Sequence, residues 1–113
     1  MPQIEHIAGV RNIDSILKIK GIDSIFIGPY DLSASMGLTG QVNHPDVRSA
    51  IDHIKNKCKV AGLPYGIFGI NPEALGQEIK DGCRFPVCGV DLSILSDAYR
   101  VIFGRLDVLR GIN

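Results

Sequence analysis

Ile22-Asp23-Ser24-Ile25-Phe26-Ile27-Gly28 is the stretch on which the fold turns. Its β-branched and aromatic residues are packed into one short run between glycines, the pattern of a buried strand. Upstream, Asn12 is placed to cap a helix in which Ile13, Ile16 and Leu17 recur on one face, with Gly21 ending it. Before that, Gln3 to Ile7 reads as a short extended segment. Downstream comes a Gly-, Ser- and Pro-bearing stretch from Pro29 to Pro45. A helix is then expected over Pro45–Ala61, where Val47, Ile51, Ile54, Cys58 and Ala61 keep helical spacing and Gly62 follows as a stop. Tyr65–Phe68 reads as a strand entered from Pro64. Pro72 opens a helix over Glu73–Lys80, closed by Asp81-Gly82. Arg84–Gly89 is a further strand, weakened by Pro86, which lacks a donor. Asp91 or Ser93 starts a last helix through Leu95, Ala98, Tyr99, Ile102 and Phe103.

About four strand-then-helix units in succession predict an α/β protein with parallel pairing. The apolar runs SIFI and YGIF suit a sheet buried on both faces. Such a chain builds either a small open sheet or half of an eight-unit barrel, and periodicity alone leaves both open. No linker or low-complexity tract divides residues 1–113, which read as a single, partial domain.

Composition narrows the function classes. Hydrophobic residues make up 45% of the chain and charged residues 21%, which is globular rather than disordered. Twelve basic residues balance twelve acidic ones, and only 6% are aromatic, so neither a basic nucleic-acid face nor a base-stacking platform is expected. No apolar run approaches the ~18 residues of a membrane span, and the first residues do not read as a signal peptide. Cys58, Cys83 and Cys88 show no paired spacing and read as buried, reduced thiols, in keeping with a cytoplasmic protein.

Parallel α/β folds place their ligands at the carboxyl ends of the strands. Glu5 falls at the end of the first short strand and Asp31 three residues past Gly28. Neighbouring strands would bring both carboxylates to one rim as an open half-shell for Mg²⁺, Mn²⁺ or Co²⁺. The alternative is that Glu5 is solvated and Asp31 caps the turn after Pro29. In the loop Gly28 to Gly37, the small residues Ser33, Ala34 and Ser35 would let backbone approach a ligand, or simply form a capped turn into a short helix.

Pro2-Gln3-Ile4-Glu5, Asn12 to Leu17, Gly21 to Pro29 and Asp31-Leu32-Ser33-Ala34-Ser35-Met36-Gly37 together resemble the HpcH/HpaI aldolases, the metal-dependent class II aldolases that act on pyruvate. The likeness continues through His44-Pro45, Ala61 to Pro64, Gly66-Ile67 and Gly89 to Asp91. It implies a TIM barrel about twice this long, of which this chain is the second half, from the fifth strand onward. It further implies an oligomer whose last helix is exchanged between subunits. By resemblance, Glu5 and Asp31 are the metal ligands, and Gly28, Pro29, Tyr30, Asp31 and Leu32 form the loop whose amides hold the pyruvate carboxylate. The metal would polarise the ketone of the 2-oxo acid and stabilise the enolate formed on aldol cleavage. Phe68 stands where the family has Leu against the pyruvate methyl.

The family's catalytic histidine and substrate-orienting arginine belong to the first half of the barrel, and no residue here matches either. His6 follows Glu5, but strand alternation would turn it from that face. His44 and His53 read as surface or packing residues. The expectation is therefore a lyase-family half domain that cleaves 4-hydroxy-2-oxo acids to pyruvate and an aldehyde, incomplete as this chain alone. It would be completed by self-association or by a complementing half barrel. Two alternatives stand beside it: a non-catalytic module for assembly or regulation, and a citrate lyase β-like lyase acting on acyl-CoA thioesters.

Overall fold

A computed structural model describes residues 1–111, so the last two residues of the 1–113 domain lie outside the described ones. Four parallel strands form one sheet in the order β1 (Gln3–Ile4), β2 (Ile25–Ile27), β3 (Tyr65–Gly69), β4 (Phe85–Cys88). Each strand lies beside its neighbour in sequence, and the connecting helices return the chain to the same end. The parallel α/β sheet is as the strand-helix alternation predicts, and its sequential strand order is that of the partial barrel which the family resemblance implies.

The register sets two different faces. Gln3, Phe26, Gly66 and Phe85 are paired across the sheet on one face, and Ile4, Ile27, Ile67 and Pro86 on the other. The second face is the core. Ile4, Ile25, Ile27 and Ile67 are buried there with Val47, Ile51, Ile54 and Cys58, which recur along α4 (Pro45–Val60). Each such buried side chain contributes roughly 1.5–3 kcal/mol. The Gln3/Phe26 face carries no helix, and Phe85 on it is half-exposed. The expectation of a sheet buried on both faces is corrected within this chain: helices cover one face only.

Local sequence accounts for the helices. His44 caps α4, accepting at Nδ1 from the Asp46 N–H (3.2 Å); Pro45 occupies the first turn and Lys57 and Lys59 the last. Gly62, at φ +67°, turns the chain out toward β3. Asn71 caps α5 (Pro72–Lys80) by accepting from the Ala74 N–H. The expected helix after Asn12 is the short α2 (Ile13–Ile16); Asn12 makes no side-chain cap bond to it and instead donates back to the Ala8 carbonyl of α1 (Ile7–Arg11), a helix that begins at the end of the segment expected to be extended. The stretch after Pro29 contains α3 (Pro29–Ser35).

Between α4 and α5 lies a buried charge cluster. Glu78, 3% exposed, meets the Arg48 guanidinium at 2.7 Å and the Lys55 ammonium at 2.9 Å, the latter an ion pair rather than an aligned hydrogen bond. Lys55 also reaches Asp81 at 2.8 Å. Burial alone would pull the Lys55 pKa down, but its contacts with Asp81 and Glu78 outweigh this and hold it above that of free lysine.

α6 (Asp91–Leu109) starts at Asp91 and runs beyond Phe103, yet buries no residue. Leu92, Ile102, Phe103 and Leu109 are all exposed. At 1.5 Å per residue it is about 28 Å long. The Cα radius of gyration is 17.8 Å, whereas a compact domain of this length has about 13 Å. Cys58 and Cys83 are buried as expected, but Cys88 is exposed, because β4 is the edge strand and α6, which follows it, buries no residue.

Candidate functional site

β1 and β2 end together. The Gly28 N–H donates to the Ile4 carbonyl (3.1 Å), which sets the residues after each strand, Glu5 and Asp31, on the same rim. Glu5 lies just past the strand; its Oε2 accepts from the Gln3 side-chain amide at 2.7 Å. Asp31 sits in the first turn of α3, exposed, and no partner for its carboxylate is recorded among the described residues. A negative side chain in a helix's first turn is favourable by itself. The Asp31 carboxylate accepts no backbone N–H of a described residue, however, so it does not cap the turn as the alternative expects.

Gly28 is the N-cap of α3 and offers no capping side chain. Its N–H is used by Ile4, Pro29 has none, and the Leu32 N–H donates to the Gly28 carbonyl at 3.0 Å. Tyr30 and Asp31 remain as the first-turn amides that a carboxylate can reach. Within the expected substrate loop, Leu32 is thus different from its neighbours: its side chain is fully buried in the core and its amide closes the helix.

The serines of α3 serve the scaffold. Ser33 is fully buried, donating to the Tyr30 carbonyl (2.6 Å) and accepting from the Gly40 N–H (3.1 Å). Ser35 accepts from the Ile7 N–H at 2.9 Å, tying α3 to α1. Expected as small residues that admit a ligand, both instead fasten the loop.

A pocket of about 270 Å³ opens beside Asp31, lined by Gln3, Phe26, Gly28, Tyr30, Phe68 and Val87 among others. Phe68 meets Tyr30 edge-on, with ring centroids 5.8 Å apart. This pair also borders a second, more polar cavity of about 320 Å³ that reaches Asn43, Asn71 and the Arg48–Glu78 pair. A wider groove of about 590 Å³ runs along α6 past Arg100 and Gly104 and has no carboxylate in its lining. The first pocket, the smallest of the three, is the one that Asp31 lines. Gln3 is the site residue that sequence reasoning missed. No spacing in the sequence singles it out, because its place at this pocket appears only when β1 and β2 lie side by side.

His6 is not on the strand, since β1 ends at Ile4; it caps α1, accepting at Nδ1 from the Ala8 N–H (3.1 Å). That capping contact, rather than strand alternation, fixes its ring. His44 caps α4 and His53 is exposed in mid-helix. Among the described residues no group of three or more His, Cys, Asp or Glu converges. Two carboxylates with open positions remain, which suits a hard cation that keeps water and a chelating substrate as its other ligands.

The family model for HpcH/HpaI aldolase/citrate lyase matches residues 1–98. The chain is 38% identical over 103 residues to a hydroxypyruvate/pyruvate aldolase of Pseudomonas aeruginosa, covering 91% of this chain and 38% of that protein. It is 41% identical over 96 residues to a 5-keto-4-deoxy-D-glucarate aldolase of Escherichia coli O6:H1, covering 85% of this chain and again 38% of the relative. The crystal structure of an HpcH/HpaI aldolase from Desulfitobacterium hafniense superposes with a TM-score of 0.89 at 29% identity, over 98% of this chain and 43% of that one. The chain thus spans well under half the length of the relatives it matches. On the family match, the identities and the shared architecture, it belongs to the HpcH/HpaI aldolase/citrate lyase family.

Proposed function

We propose that this chain carries the cation- and 2-oxo-acid-binding part of a carbon–carbon lyase site. Its reaction would be the reversible cleavage of a 4-hydroxy-2-oxo acid to pyruvate and an aldehyde. One observation supports this above the others: Glu5 and Asp31 stand on adjacent strand ends around a residue with no side chain, Gly28. The names of its relatives, both aldolases of oxo acids, point the same way.

The residues present fit a divalent metal. Both donors are carboxylates, and among the described residues the bond from Gln3 to Glu5 Oε2 is the one side-chain hydrogen bond that either accepts, which leaves their other positions open to a cation. Mg²⁺, Mn²⁺ or Co²⁺ held by Glu5 and Asp31 would supply Lewis acidity toward the ketone oxygen. The Tyr30 and Asp31 amides receive the substrate carboxylate, with Gly28 and Pro29 giving backbone access and Leu32 anchoring the turn from the core. Phe68, with Phe26 and Val87, forms the apolar wall that excludes water and packs on the methyl group. None of the histidines in this chain is placed to move the proton. A positioned acid–base group is worth ~10²–10⁴ in rate, so this chain alone is expected to turn over slowly if at all.

The missing groups come from outside these residues, from a complementing half barrel or a further copy that covers the Phe26/Phe85 face. The unburied apolar length of α6 supports an oligomer in which that helix packs on a neighbouring subunit. Three unpaired cysteines suit a cytoplasmic setting. No described helix is long and apolar enough to cross a membrane.

The test is Mn²⁺ binding by the purified chain, with and without pyruvate, beside Asp31→Ala. Binding that tightens with pyruvate and is lost in the variant is expected. A folded chain that binds no Mn²⁺ would refute the proposal and favour a non-catalytic assembly module.

A further inference from the structure

Glu78 is a charged residue on the inward face of a helix. It follows Leu75 by three positions in α5, and both are buried, Glu78 at 3% exposure. A carboxylate placed there needs several donors, because each of its oxygens carries two lone pairs. Arg48 supplies one, from Nη2 to Oε1 at 2.7 Å. Lys55 Nζ stands 2.9 Å from Oε2, but the aligned hydrogen bond of that ammonium goes to Asp81. Oε2 accepts a hydrogen bond from no described group. The charge of Glu78 is matched, while its capacity as an acceptor is not filled.

The same side chain lines the polar cavity of about 320 Å³ between α3, α4 and α5. That volume falls within the roughly 300–1,000 Å³ of small-ligand sites. Three donors surround Glu78 there. Arg48 is part-exposed, and its guanidinium has N–H groups beyond the one given to Glu78. Asn71 uses Oδ1 to cap α5, which leaves its amide NH₂ to face a ligand. Asn43 is exposed and makes no side-chain hydrogen bond among the described residues. Tyr30 and Phe68, packed edge-on at 5.8 Å, give the cavity an apolar wall.

This mixture of groups selects a ligand chemistry. An anion suits Arg48 and the two amides but meets the Glu78 carboxylate. A cation suits Glu78 but meets Arg48 and, behind it, Lys55. A hydroxyl group donates and accepts at once, so it satisfies both sides without bringing a charge. We infer that this cavity binds a small neutral polyhydroxy compound. Its hydroxyls bridge the Glu78 carboxylate and the Arg48, Asn43 and Asn71 donors, and its C–H groups lie against the Tyr30/Phe68 wall. The inference does not depend on a cation at Glu5 and Asp31, neither of which lines this cavity.

The probe is xylitol, titrated into the nitrogen-15-labelled full chain without metal, with acetate and ethylammonium as charged controls. Saturable shifts are expected at the Asn43 and Asn71 side-chain amides and at the Arg48 Nε–H, and neither control should produce them. Ala74→Leu, in the exposed first turn of α5, fills the cavity from its rim and should abolish the shifts. Glu78→Gln should weaken xylitol binding about 10–100-fold, as expected for a hydrogen bond to a charged group. If that variant does not fold by circular dichroism, Ala74→Leu decides, since it leaves the core untouched. Shifts that do not saturate, or that persist in folded Ala74→Leu, overturn the inference. Saturable shifts with acetate and none with xylitol overturn it in favour of an anion site. Undiminished xylitol affinity in a folded Glu78→Gln overturns the part assigned to the carboxylate.

Discussion

Replacing Lys55 by Met separates charge from packing in the α4–α5 cluster, because Met retains an apolar stem while the ammonium is lost. Three carboxylates face that ammonium: Asp81 at 2.8 Å, Glu78 at 2.9 Å and Asp52 at 3.5 Å. Asp52 and Asp81 reach water, so each of those contacts contributes only ~0–1 kcal/mol. Glu78 is 3% exposed and would keep Arg48 alone. Stripping a buried charge of all partners costs about 3–5 kcal/mol; with one of two retained, about 2 kcal/mol is expected, and 2–3 with the outer contacts added. The Lys55 pKa lies above its free value, so its stabilisation is complete below about pH 10.5 and is lost only as pH rises through the higher folded value. The effect should therefore be present in full at pH 7. Equilibrium urea unfolding followed by circular dichroism should show the midpoint falling by about 2 M, for a slope of roughly 1–1.5 kcal/mol per molar. Glu78→Gln should cost less, since Lys55 keeps Asp81 and Arg48 is part-exposed. A shift below about 0.5 M for Lys55→Met, or the reverse order of the two variants, would show that the cluster is held by packing and not by charge.

Gly66→Ala would set a Cβ 2.5 Å from the Phe85 carbonyl oxygen, forcing β3 and β4 apart. A loss of about 1–3 kcal/mol in the same unfolding assay is expected. Under native conditions one thiol, Cys88, should react promptly with an aromatic disulfide reagent. Cys58, whose burial pushes its thiol up to about 11, should react only on unfolding. The Lys57 hydrogen bond lowers the pKa of Asp14 and the Lys55 hydrogen bond that of Asp81, so both favour the folded state above the free carboxylate range. That contribution should fade as pH falls below about 4, and Asp14→Asn with Asp81→Asn should flatten the acid limb of a stability-against-pH profile.

What the sequence discloses about this chain depends on where each residue's partners come from. Ile25, Ile27 and the Val47/Ile51/Ile54/Cys58 stripe are buried by neighbouring elements of the same chain, so periodicity is enough to place them. α1 escapes notice because its cap is a histidine and its five residues include Gly9 and Val10, neither a strong helix former. Cys88 misleads because thiols usually lie inside, yet its strand is at the sheet edge. Pro86 reads as a flaw in a strand and the strand forms regardless. The Gly89 N–H donates to Gly69 in β3, so by alternation Val87 and Phe85 also face β3 and the nitrogen of Pro86 faces the open edge. No ladder bond is lost, and the proline takes a donor from the outer edge of an edge strand, where it is tolerated. At the site, spacing brings Glu5 and Asp31 to one rim, whereas the place of Gln3 is visible only when β1 and β2 are set side by side.

The sequential strand order has a consequence for how the chain opens. Among the described residues every strand contacts the strand next to it in sequence, and none pairs across a longer interval. Such a structure behaves as a short one-dimensional array, in which the terminal unit can peel away without breaking any pairing behind it. β4 and α6 bury little and β3 is held from both sides, so opening should begin at the carboxyl end and meet its greatest resistance at β2, β3 and α4. Amide exchange would then trace a gradient along the chain, with Glu5 and Asp31 upstream of the segment that frays first.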